Sequence, residues 1–221
     1  CGQTEDALRD AELARELGYD LGLLNLSAFP DADDATLLAH ARRIAEVIPL
    51  FGFYLQPDIG GRLLSREFFR EFAAIPNLIA VKMAAFDRGL TQEAIEGIED
   101  SGRGDDVILY TGNDNFIIED LTEGYLTSTA SGARLRRMAG GLLGHWAVWT
   151  KAAVETLETI KQSRLTENFD PADFTELASQ VTEMNHFVFD FDNGFCGCIP
   201  GVHEILRRQR LLEGAWCLNP D

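Results

Sequence analysis

At 221 residues, with 46% hydrophobic and 25% charged residues, the chain can bury a sizeable core as one domain and has an ordinary globular composition. Its formal net charge of −17 argues against non-specific binding to nucleic acid or to an anionic membrane. No apolar run approaches the roughly 20 residues of a membrane span, and the polar opening Cys1-Gly-Gln-Thr-Glu-Asp6 lacks a signal-peptide pattern, so a cytoplasmic protein is expected. Because the first residue is not methionine, the sequence is expected to begin partway through a longer protein.

Glu5 and Asp6 favour a helix start at Thr4, which is expected to cap it, and Leu8, Ala11, Ala14 and Leu17 form its apolar stripe up to Gly18. The patterning then predicts a strand over 21–27, a helix over 35–47, a strand over 52–57 and a helix over 65–74. A short apolar strand follows over 78–85, with Lys82 in its middle. Thr91 is expected to cap a helix running to about residue 100. A strand over 106–111, a turn at Gly112-Asn-Asp-Asn115, a short helix over 116–121 and a fifth strand over 124–129 come next. Five strands alternating with four helices predict a parallel α/β sheet or barrel. No Gly-x-Gly-x-x-Gly follows the first strand, so there is no dinucleotide fingerprint.

Beyond residue 139 the pattern is helical. Trp146, Trp149, Ala153, Leu157 and Ile160 make one stripe, Phe174, Leu177, Val181, Met184 and Phe187 another, and 200–221 reads as a last helix. Residues 1–138 are therefore expected as a partial (β/α) barrel and 139–221 as a helical region packed on it. Of the four cysteines, Cys196-Gly-Cys198 is too close for an easy disulfide and lacks zinc-knuckle spacing. Cys1, Cys196, Cys198 and Cys217 are expected as reduced thiols without a metal.

Lys82 is out of place on hydrophobic grounds, in a chain with three lysines against sixteen arginines. Burying an ammonium is costly unless it is paired or loses its proton. A buried lysine with a lowered pKa is a nucleophilic amine, the starting point for Schiff-base chemistry on a carbonyl. The competing reading is a lysine near a strand end whose head reaches water. Parallel α/β folds place their sites at the C-terminal strand ends. Here those ends offer Asn25, Ser27, Tyr54, Gln56, Lys82, Thr111, Asn113, Asp114, Thr127, Ser128 and Thr129. Tyr54 is either a proton shuttle beside the lysine or a core tyrosine. Gly112-Asn113-Asp114 is either a tight turn or a loop contacting substrate hydroxyls, and Gly140-Gly-Leu-Leu-Gly144 either a close backbone approach or helix-start flexibility. His145, beside tryptophans, is expected to be packed or capping, His40 solvent-facing and His203 at a helix start. No His/Asp/Glu set has metal-ligand spacing, and there is no Gly-x-Ser-x-Gly elbow.

Four stretches together resemble the dihydrodipicolinate synthase / N-acetylneuraminate lyase family of Schiff-base aldolases. Ile75-Pro-Asn-Leu-Ile-Ala-Val-Lys82 resembles its segment ending in the Schiff-base lysine, and Phe53-Tyr-Leu-Gln-Pro57 its Tyr-Asn-x-Pro strand. Tyr110-Thr-Gly-Asn-Asp114 resembles its Gly-x-Asp loop, and Gly124-Tyr-Leu-Thr-Ser-Thr129 its last strand. Their order and spacing agree as well. The resemblance spans about residues 1–130, and 199–212 is similar to the terminal helix.

The resemblance implies an α/β fold, a (β/α)8 TIM barrel represented by its last five strands, the fourth to eighth units, plus C-terminal helices. It implies a homo-oligomer, dimer or tetramer. Carried over, Lys82 forms an imine with pyruvate or a related 2-oxo acid and Tyr54 relays protons. Gln56, Gly112, Asn113, Asp114, Thr127 and Ser128 bind substrate. An aldehyde is the second partner in aldol cleavage or condensation, or the reaction is a dehydration. The imine is the electron sink, so no metal or organic cofactor is required. The family's first three strands, which supply paired hydroxyl residues for the carboxylate, have no counterpart. Phe29, Leu55, Ile59 and Ala84 depart from the family's tyrosine, asparagine, arginine and hydroxyl residue. These departures imply either a divergent branch with its own second substrate or a member that binds without catalysis.

Overall fold

The computed structural model describes residues 2–129 and 132–218. Helices and strands alternate through α1 (Thr4–Glu16), β1 (Gly22–Leu24), α2 (Asp34–Ala45), β2 (Leu50–Leu55), α3 (Arg66–Ala73), β3 (Leu78–Ala84), α4 (Arg88–Asp100), β4 (Ile108–Thr111) and α5 (Ile117–Thr122). Asp33, Ser65 and Asp87 cap α2, α3 and α4, each accepting from the backbone N–H three residues on. Two expected caps are corrected. Thr4 lies inside α1, its hydroxyl hydrogen-bonded to His40 Nδ1 at 2.9 Å. Thr91 is buried in α4 and donates to the Asp87 carbonyl at 2.8 Å. His40 is likewise buried rather than solvent-facing, 4.6 Å from the Phe29 ring between centroids.

The parallel sheet has five strands in the order β1-β2-β3-β4-β7, and its last member is Gly140–Gly141 (β7). This corrects the assignment of residues 124–129 to the fifth sheet strand. They form β5 (Tyr125–Thr129), which pairs antiparallel with β6 (Gly132–Arg136) in a separate two-stranded sheet. The physical reason lies at Tyr110. A Cβ at Gly140 would already lie 3.1 Å from its ring, so the position beside β4 suits backbone without side chains. The hairpin is clamped to α4 instead. Gln92 donates to the Leu126 carbonyl at 2.9 Å, and the buried Arg136 pairs with Glu99 and donates to the Gly104 and Val107 carbonyls.

After β7 come α6 (Gly144–Val148), α7 (Thr150–Ser163), α8 (Thr175–Phe189) and α9 (Cys198–Arg208). The last sheet strand thus falls just beyond the boundary expected at residue 138, and only helices and short 3-10 turns follow. The final helix ends at Arg208, shorter than expected, and residues 219–221 lie outside the described ones. Met184 and Phe187, expected in the α8 stripe, are exposed. Cys196, Cys198 and Cys217 are free thiols, and Cys1 lies outside the described residues.

The sheet's two faces differ sharply. Side chains alternate along a strand, and the pairing sets which residues share a face. Leu24, Gly52, Tyr54, Val81, Met83, Leu109 and Thr111 look toward the helices. The Phe72 ring of α3 packs so close to Gly52 that a Cβ there would meet it at 2.5 Å. The opposite face carries Leu23, Phe51, Phe53, Lys82, Ile108 and Tyr110. Leu23 and Ile108 on it are 40% and 44% exposed, because no described element covers them. In a closed barrel this face would look inward.

Candidate active site

Lys82 projects from β3 on the open face, in register with Phe53 of β2 and Tyr110 of β4. Its Nζ lies 4.1 Å from the centroid of the Phe53 ring, and among the described residues it forms no ion pair. Burial lowers its pKa below the ordinary lysine value, opposed by the Asp114 carboxylate. Burial without a counter-ion in contact favours the neutral, nucleophilic amine, while the Phe53 ring face favours the ammonium. Gly112 makes its position possible: a Cβ there would lie 2.6 Å from Lys82 Cε and 2.9 Å from Ala84 Cβ.

Tyr54 is not beside the lysine. It pairs with Met83 rather than Lys82, so alternation turns it to the helix side of the sheet. There its ring packs edge-on against Phe69 of α3, centroids 5.0 Å apart. Its buried hydroxyl lies near the Leu64 amide without a well-formed hydrogen bond, and burial raises its pKa. The expected phenol relay is therefore corrected: the ring at the amine is Phe53, which carries no transferable proton. Tyr110 is the phenol on Lys82's face, but its ring leans toward Phe51, centroids 5.3 Å apart, nearer the N-terminal end of β2.

Of the other expected substrate contacts, Gly112 lies against Lys82, and the Asp114 charge opposes the lowering of its pKa. The Asp114 carboxyl is buried, with Oδ1 accepting from the His145 backbone N–H at 3.0 Å. Burial pushes its pKa up to about 7, against those amide bonds and the pull of Lys82. Its carbonyl accepts from Asn185 Nδ2 at 2.7 Å, and Asn185 Oδ1 meets His145 Nδ1 at 2.8 Å, so α8 and α6 jointly hold the loop. Cys198, at the start of α9, has its thiol pKa raised by burial and by the nearby Asp114.

Asn113 is engaged elsewhere. Its Oδ1 accepts from Phe86 N–H at 2.8 Å and its Nδ2 donates to Asp120 Oδ2 at 2.9 Å. Asp120, which the linear reading missed, is fully buried and also accepts from Thr111 and Tyr125. Burial raises its pKa against those hydrogen bonds and the Arg88 guanidinium. The Asn113–Asp120 network ties the loop after β4 to the loop after β3, where Phe86 sits at φ 56°. A non-glycine residue in that left-handed region costs about 1 kcal/mol or more and persists only where neighbours hold it. Phe195, also at positive φ, and Phe191 pack on Phe86 at 5.1 and 5.6 Å between centroids, forming an aromatic wall at this strand end.

Gln56 spends its side chain accepting from Asp58 N–H at 3.2 Å. Thr127 sits in the hairpin, donating to the Arg134 carbonyl at 3.1 Å, and Ser128 is exposed there. Neither hairpin residue is brought to Lys82, because β5 has left the sheet. His145 is packed, its ring 5.0 Å from Trp149. Among the described residues no three His, Cys, Asp or Glu side chains converge as metal ligands, and no helix is long and apolar enough to cross a membrane.

No family model matches the chain. It is 27% identical over 122 residues to the curated 4-hydroxy-tetrahydrodipicolinate synthase of Methanosarcina barkeri, which is 55% of this chain and 40% of that protein. It superposes on dihydrodipicolinate synthase from Bacteroides thetaiotaomicron with a TM-score of 0.73 and 12% identity, over 100% of this chain and 67% of that one. N-acetylneuraminate lyase from Mycoplasma synoviae gives 0.63 and 18%, over 99% and 63%. A prophage protein of the dihydrodipicolinic acid synthase family from E. coli K12, solved with pyruvate, gives 0.67 and 14%, over 99% and 66%. The chain thus spans about two thirds of the solved structures it matches, and at these identities they show a shared fold. In sequence over those 122 residues, and in fold as part of a TIM barrel, the chain is similar to the dihydrodipicolinate synthase / N-acetylneuraminate lyase family.

Proposed function

We propose that the chain is the lysine-bearing part of a class I aldolase or lyase that condenses Lys82 with pyruvate or a related 2-oxo acid. The observation that carries this is Lys82 itself: a half-buried amine on the open face of a parallel sheet, set on Phe53, with no ion pair among the described residues and a lowered pKa. Attack of Nζ on the ketone carbon and loss of water give an iminium. That iminium withdraws electrons from C3, so a C3–H or C3–C4 bond can break, or an enamine can add to an aldehyde. The E. coli neighbour solved with pyruvate supports the substrate class. The aldehyde partner, assembly as a homo-oligomer and a cytoplasmic site of action belong to the same proposal.

A second reading is favoured by one observation. Phe53 stands at the amine where a phenol was expected, so the site could bind a 2-oxo acid as an imine without turning it over. Assays of pyruvate release or consumption across a panel of aldehydes and sugar acids separate the two. Turnover lost in Lys82→Arg supports the aldolase. Imine formation without turnover on any of them supports the binding protein.

A further inference from the structure

Phe53 does more at Lys82 than fill space. The β2–β3 register sets it directly across from the lysine, and Nζ lies over its ring, 4.1 Å from the centroid. Cation–π attraction acts within about 6 Å of a ring centroid, so this nitrogen is well inside its range. The lysine stem is confined from the β4 side, where Gly112 leaves just enough room for Cε and donates its backbone N–H to the Met83 carbonyl. Tyr110, the ring across from Lys82 on β4, leans toward Phe51, centroids 5.3 Å apart, and leaves the nitrogen to Phe53. Among the described residues Lys82 forms no ion pair, so the Phe53 ring is the group that meets a charge on Nζ at contact distance.

We propose that Phe53 is a catalytic residue whose ring face stabilises positive charge on Lys82 Nζ, first in the ammonium and then in the iminium formed with a 2-oxo acid. This rests on Lys82 forming the imine. Neutral Nζ adds to C2 of the 2-oxo acid, and a proton moves from nitrogen to the carbonyl oxygen. The carbinolamine hydroxyl takes a proton from solvent and leaves as water with the C–O bonding pair, while the nitrogen lone pair forms C=N. The nitrogen then carries one hydrogen and a positive charge at the end of the same confined stem, so the ring meets the iminium without moving. Loss of a proton from C3 to solvent turns the C–H pair into the C=C bond of the enamine. The C=N electrons return to nitrogen and remove its charge. The ring thus favours the charged species from which the C3–H or C3–C4 bond breaks, and it also holds part of the free amine as ammonium.

The test has two readouts. Acetylation by acetic anhydride across a pH series, read by peptide mass spectrometry, gives the titration midpoint of Lys82, with the more exposed Lys151 and Lys161 as internal references. Borohydride trapping across a pyruvate series, above those midpoints, gives the pyruvate concentration for half-maximal adduct. The Asp114 charge acts on Lys82 and Tyr110 shares its face, and every variant retains both. Phe53→Leu is expected to lower the Lys82 midpoint by roughly half to one and a half pH units and to raise the half-trapping concentration roughly three- to thirtyfold. Phe53→Tyr keeps a ring face and is expected to match wild type in both. A side chain that only packs would act the other way on the midpoint, because looser packing admits water and raises it. A Lys82 midpoint unchanged or raised in Phe53→Leu, or the same shift in Phe53→Tyr, overturns the assignment to Phe53 and leaves the aldolase reading standing where wild type forms the adduct. Absence of an adduct on Lys82 in wild type overturns the aldolase reading and this assignment with it.

Discussion

Replacing Asp114 by asparagine should stabilise the protein at neutral pH, by an amount the structure sets. The carboxyl is buried and titrates near 7 instead of 3.8. Its folded-state pKa is raised, so between those values the folded protein keeps a proton that the unfolded chain has lost. Stability falls as pH rises through that window; the penalty is absent below 3.8 and complete above 7. At about 1.4 kcal/mol per tenfold change in proton affinity, the full penalty is at most about 4 kcal/mol. Asparagine cannot ionise, and its amide oxygen can still accept from His145 N–H. Urea denaturation at pH 4 and pH 8 should therefore show Asp114→Asn close to wild type at the lower pH and about 2–4 kcal/mol more stable at the higher. The other carboxylates titrate in both proteins and cancel. A difference independent of pH, or a variant less stable at pH 8, would refute the reasoning.

Gly112→Ala places a methyl 2.6 Å from Lys82 Cε and 2.9 Å from Ala84 Cβ, so the lysine must swing away. Trapping with pyruvate and borohydride should drop at least about tenfold while the far-ultraviolet circular dichroism is unchanged. Tyr54→Phe removes a buried hydroxyl that has no well-formed hydrogen bond, so stability should be unchanged or rise by up to about 1 kcal/mol, with trapping unaltered; a loss of trapping would return the phenol to the mechanism. Arg136→Ala leaves the buried Glu99 without its closest partner and frees two carbonyls, which should cost about 3–5 kcal/mol in a denaturant titration. A cost near zero would mean that the hairpin is not anchored through this pair.

The parallel sheet and Lys82 were legible because each broke or obeyed a local rule plainly. Four strand–helix repeats fix a parallel sheet, and one ammonium in an apolar strand has few structural excuses. Tyr54 was not legible, since Phe53-Tyr-Leu-Gln reads equally well with either ring on the lysine's face. Only the pairing of Phe53 with Lys82 decides it. Residues 124–129 have strand composition, which a hairpin satisfies as well as a barrel strand does. The true fifth strand, Gly140–Gly141, has the composition strands avoid and is selected by the Tyr110 ring beside it. Asn113 resembled a substrate contact because a polar residue at a strand end is usually one. Its role in holding Phe86 depends on Asp120, seven residues on and buried, which no spacing rule announces.

Peptide mapping by mass spectrometry after incubation with pyruvate and borohydride bears most directly on the reactive amine. A reduced pyruvate adduct on Lys82, absent from Lys151 and Lys161, is the predicted outcome. Full-length protein that stays unmodified at Lys82 under saturating pyruvate would contradict the account.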